Sequence, residues 1–110
     1  MITLTSIKRQ CRLEQDETHD DDYLLELLED ATEAIQEQLN RKLYSDEQSL
    51  AEDDNAPEGA IVMPRSVRRA ILMLISDLYE NRSATSVLNL SDNPTYQVML
   101  EPHRRYPNGH

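Results

Sequence analysis

At 110 residues the chain has room for one modest core, and an apolar content of 38% without Trp or Phe makes that core aliphatic. Two glycines leave few tight turns for a many-stranded sheet, so helices are expected. The net charge of −10 argues against a free-standing nucleic-acid binder, which needs Lys and Arg for phosphate contacts.

The charge is unevenly placed. Residues 1–60 carry 17 Asp and Glu against 5 Lys and Arg, a net −12, whereas residues 61–110 carry 4 against 6, a net +2. The lone Cys11 has no internal disulfide partner, and MITLTSIKRQ lacks the apolar run of a secretion signal. No stretch approaches the roughly 18 apolar residues of a membrane span. A reducing, cytosolic setting is the expectation, with no membrane contact.

In chain order, Thr5 is placed to cap a short helix reaching about Arg12, with Ile7 and Cys11 inward and Lys8, Arg9 and Arg12 outward. The apolar-free EQDETHDDD follows as a loop. Its acidic end suits the positive pole of the next helix. Over 21–40 the recurrence of Leu24, Leu28, Ala31, Ile35 and Leu39 predicts an amphipathic helix, its stripe widened by Leu27 and Ala34. Glu26, Glu29, Asp30, Glu33 and Glu37 take the other faces.

Residues 44–60 hold charge, Ser, Asn, Pro57 and Gly59, and read as an acidic loop. Pro64 fits the start of a helix over 64–81, where Val67, Ile71, Leu74 and Leu78 form one apolar face and their neighbours extend it. Such a helix belongs at the centre, or against another subunit. Arg65, Arg68 and Arg69 crowd its first turns against the dipole preference, implying acidic neighbours elsewhere. Residues 83–93 read as a second loop. Pro94 opens a last short helix with Tyr96, Val98, Met99 and Leu100 as contacts, and 103–110 reads as a flexible arm. The expected fold is thus all-α: a small bundle on two long helices, about 21–40 and 64–81, with short helices at each end. Residues 1–102 form one helical domain, with Leu24, Leu28, Ile35, Leu39, Val67, Ile71, Leu74 and Leu78 in its core.

Chemistry-bearing patterns are weak. A calcium loop opening at Asp16 would put Asp21 at its glycine position and Leu27 at its closing position, and one opening at Asp46 would put Ala51 and Pro57 there. His19, His103 and His110 are scattered and have no zinc spacing with the single Cys11. No phosphate-binding glycine loop occurs, and nothing supports a nucleophile–base pair. No enzyme activity, cofactor or metal is expected. Two roles remain for the charge. The acidic face Glu26, Glu29, Glu33 and Glu37 could line a conduit for DNA or meet another subunit, and Arg65, Arg68 and Arg69 form a candidate inter-subunit basic face.

Four segments carry a family likeness: ITLTSIKRQCRL, DDDYLLELLEDATEAIQEQLNRKLY, MPRSVRRAILMLISDLYENRSA and MLEPHRRY. In order and spacing they resemble the head–tail connector, or neck adaptor, proteins of tailed bacteriophages and prophages. Departures are Ser83, where an acidic residue is common, and the loop over 83–93. The resemblance implies a structural subunit of a homo-oligomeric ring below the portal protein. Such a ring extends the DNA channel, passes DNA without specific binding, and docks the next neck or tail completion protein. Its setting would be the virion neck, and the host cytoplasm before assembly. The alternative reading is an acidic regulatory or DNA-mimicking protein that binds a nucleic-acid-handling partner.

Overall fold

The structure, a computed structural model, describes residues 2–80 and 93–105. Among them lie five α-helices: α1 (Leu4–Gln10), α2 (Asp21–Leu39), α3 (Glu47–Glu52), α4 (Arg65–Glu80) and α5 (Pro94–Leu100). A 3-10 turn, Glu101–His103, follows α5. Two short strands, β1 (Leu43–Tyr44) and β2 (Ile61–Val62), pair in parallel with Leu43 opposite Ile61. The expected two-long-helix architecture is the observed one.

The pair α2 and α4 forms the centre, with α1 packed on both and α5 on α4. Leu24, Ile35, Leu39, Val67, Ile71 and Leu74 are fully buried, joined by Ile7, Ala31, Ala70, Ile75 and Leu100. Leu28 and Leu78 are only partly buried against this core. In α2 the deep place beside Leu24 goes to Leu27, because the inward stripe is turned toward that side of the helix. Leu28 lies instead in a shallow groove with Ile2, Leu43 and Met63, and Leu78 in another with Leu27 and Ala34. Val98, expected as a contact of α5, is exposed, whereas Tyr96 and Leu100 face inward.

Helix α1 begins two residues earlier than expected, because Thr3 and Ser6 form a reciprocal cap. The Thr3 hydroxyl accepts from the Ser6 amide at 3.2 Å, and the Ser6 hydroxyl accepts from the Thr3 amide at 3.0 Å. Lys8, expected outside, is 4% exposed. Residues 13–20 fold back over it, and its ammonium meets the Gln15 and Glu17 carbonyls at 3.1 and 2.6 Å and Asp21 at 2.8 Å. Three acceptors match three N–H donors, which makes its burial tolerable.

The stretch 44–60 is not a plain loop. Asp46 caps α3 by accepting from the Ser49 amide at 2.7 Å, and the Tyr44 hydroxyl donates to Asp53 at the helix's far end. Helix α3 buries no residue, so no apolar periodicity announces it. It forms the crossover that a parallel strand pair requires.

The arm reading is corrected for residues 103–105, which dock on the end of α2. That helix stops at Asn40 in the left-handed conformation, φ 55°. Its last carbonyls would be orphaned, but Arg104 Nε donates to Gln38 O at 3.1 Å and the Arg105 amide to Leu39 O at 2.8 Å. Arg41 bridges the same segment to the 57–59 turn, donating to His103 O at 2.8 Å and Gly59 O at 2.6 Å. Residues 106–110 and nearly all of the 83–93 loop lie outside the described residues.

Candidate functional site

Helix α2 turns about 100° per residue, so Asp22, Glu26, Glu29, Asp30, Glu33 and Glu37 fall within one sector about 100° wide. The buried stripe lies diametrically opposite. All these carboxylates are exposed, and none makes an ion pair with any described residue. Glu26, Glu29, Glu33 and Glu37 of the expected acidic face are thus brought together, and Asp22 and Asp30 complete the stripe. Asp22–Glu26, Glu26–Asp30, Glu29–Glu33 and Glu33–Glu37 are like-charge pairs one turn apart, each costing the isolated helix about 0.2–0.5 kcal/mol.

The basic counterpart is a groove of about 210 Å3 where α1 crosses the start of α4. Arg65, Arg68, Arg69 and Leu72 share one sector of α4, and α1 supplies Ser6, Arg9 and Gln10. Leu72 is a nearly buried apolar floor. Arg65 and Arg69 are exposed and Arg68 is half-buried. No guanidinium of Arg9, Arg65, Arg68 and Arg69 has a hydrogen bond or ion pair with any described residue. The positive end of α4's dipole adds to their repulsion. Arg9 was missed in the sequence as a member of this face, since nothing in residues 4–10 signals that α1 lies beside Arg65.

A third, mixed-charge depression of about 520 Å3 lies at the docked C-terminal segment, lined by Glu33, Glu37, Arg41, Lys42, Glu58 and Arg105. Its cations are engaged internally: Arg41 in the bridge above, Lys42 over the Tyr44 ring at 5.2 Å, and Arg105 with Glu58 at 3.5 Å.

Nothing in these surfaces resembles a reaction centre. Among the described residues, no group of three or more His, Cys, Asp or Glu is placed to hold a metal. Burial holds the half-buried Cys11 thiol above its ordinary range despite a bond with Ser76, which suits a packed thiol rather than a nucleophile. His103 is occupied with Ser66 at 3.1 Å, and His19 is exposed in the loop before α2.

Among the described residues the chain offers two charged faces without ion-pair partners on a helical body, and its family agrees with that. The family described as Phage gp6-like head-tail connector protein matches residues 1–104. The chain belongs to this family. No curated protein and no solved structure matches it. The head–tail connector family is structural rather than enzymatic, and its members are virion components that contact other phage head and tail proteins. In this connector chain no helix among the described residues is long and apolar enough to cross a membrane.

Proposed function

We propose that this connector is the subunit of a homo-oligomeric ring seated below the portal protein, where it prolongs the DNA channel and presents a surface to the next neck or tail component. The family match over residues 1–104 carries this reading. The body suits it: a helical core spanned by α2 and α4, with charge rather than catalytic groups on its outer faces. The subunit works by contact alone, without an enzymatic step, cofactor or metal. It waits in the host cytoplasm until the packaged head offers its vertex.

DNA passes through such a ring without specific binding. Pairing charges between copies leaves the total untouched, so every copy still contributes −10 to the ring as a whole. A wall of the same sign as the phosphates repels them and leaves the duplex free to slide.

The test is assembly. Purified protein, alone at high concentration and mixed with the cognate portal, should give rings in negative-stain images, and antibody should label the neck of finished virions. A chain that stays monomeric at high concentration, gives no rings and fails to bind the portal would overturn the reading.

A further inference from the structure

We propose that the groove between α1 and α4, walled by Arg9, Arg65, Arg68 and Arg69, receives the acidic stripe of α2 from a second copy of this chain. The inference rests on the ring reading above and names the contact that would hold the ring together.

Three observations converge on it. The guanidinium groups are unsatisfied: Arg68 is half-buried, yet neither its side chain nor those of its neighbours has a carboxylate or carbonyl partner among the described residues. Cations crowded beside one another and a helix N-terminus are stabilised when an anion approaches from outside. The anion is available on the same molecule, since the α2 carboxylates are equally unpaired. The spacings also match. Arg65, Arg68 and Arg69 stand at i, i+3 and i+4, and Glu26, Glu29 and Asp30, or Glu29, Asp30 and Glu33, repeat near-equivalent spacings along a straight helix.

The two faces lie on different elements and share no residue, so in the ring each copy gives its stripe to one neighbour and its groove to the other, a heterologous contact. Such contacts close into rings when the rotation from copy to copy closes. Leu72 at the groove floor excludes water beneath the charges and strengthens them. A DNA backbone would meet the same arginines, but a second copy brings its own 11 Lys and Arg along with its acids, so a chain of net −10 repels it less than it repels unrelieved phosphate charge.

The experiment uses the full chain and reads its association by sedimentation and by ring formation on the cognate portal. Reversal at both Arg68→Glu and Arg69→Glu should weaken association about tenfold or more, and Glu29→Arg with Glu33→Arg should do the same. Mixing the two reversed proteins should restore association in each other's presence. High salt should dissolve the wild-type assembly. Circular dichroism of each variant guards against misfolding. A disulfide between Arg69→Cys in one copy and Glu33→Cys in the next, on a Cys11→Ser background, tests the proximity without changing charge sign. Rings that form unchanged from both reversed proteins, with no cross-link, overturn the inference and leave the connector reading standing. Rings that still form with Glu29→Arg and Glu33→Arg but now bind duplex DNA would make the stripe a conduit lining and also overturn it. A wild-type chain that neither self-associates nor binds the portal overturns both.

Discussion

The Tyr96 hydroxyl donates a 2.6 Å hydrogen bond to the Asp77 carboxylate, joining α5 to α4 from a ring that is only 2% exposed. The same device recurs where Tyr79 donates to Asp20 at 2.7 Å, tying the end of α4 to the start of α2. In a core without Phe or Trp, Tyr79 and Tyr96 give α4 and α5 both aromatic bulk and a directed bond.

Tyr96→Phe should therefore cost about 1–2 kcal/mol in denaturant unfolding, less than a fully buried charged bond because Asp77 is only half-buried and can take up water. A pH dependence accompanies it. Burial, then the Asp77 carboxylate, holds the phenol far above its ordinary 10.0. Above that value the unfolded chain's phenol releases its proton while the native one keeps it, so the unfolded state binds fewer protons and stability falls as pH rises. Below it the contribution is fully present. Unfolding followed from pH 9 upward should show a shallower alkaline loss in Tyr96→Phe than in the parent.

Lys8→Met should destabilise the fold by about 1–3 kcal/mol, since it leaves Asp21 and the Gln15 and Glu17 carbonyls without their shared donor, and Asp21 is partly reached by water. Amide exchange should rise first in residues 13–20, the segment that Lys8 holds down. A variant as protected there as the parent would contradict the staple.

Leu74→Ala should cost about 2–5 kcal/mol and Leu28→Ala distinctly less, because Leu74 is fully buried between the long helices while Leu28 keeps one side in a groove. Equal losses from thermal melts would contradict the inward turn of α2 toward Leu27.

Gly59 has φ +84°, and a Cβ there would lie 2.6 Å from Arg105 Nη1 and 2.7 Å from its Cδ. Gly59→Ala should therefore cost about 1–2 kcal/mol, part from the left-handed backbone and part from displacing Arg105. In an Arg105→Ala background only the backbone part should remain. A double-mutant cycle with no coupling would show that the C-terminal segment is not seated as described.

Much of the fold could be read locally. A helix that buries one stripe must repeat apolar residues near every 3.6 positions whatever it packs against, so Leu24, Ala31, Ile35 and Leu39 declared α2, and Val67, Ile71 and Leu74 declared α4. The acidic stripe follows from the same period, being the unburied side of a helix already recognised. Helix α3 escaped because its stability comes from the Asp46 cap and the β1–β2 crossover rather than from a stripe. The burial of Lys8, the seating of residues 103–105 on the end of α2, and Arg9 beside Arg65 could be decided only by the tertiary structure. Each depends on which segments, remote in the chain, become neighbours. A lysine or arginine carries the same charge in solvent as in a groove, and only packing determines whether carbonyls, carboxylates or other cations surround it.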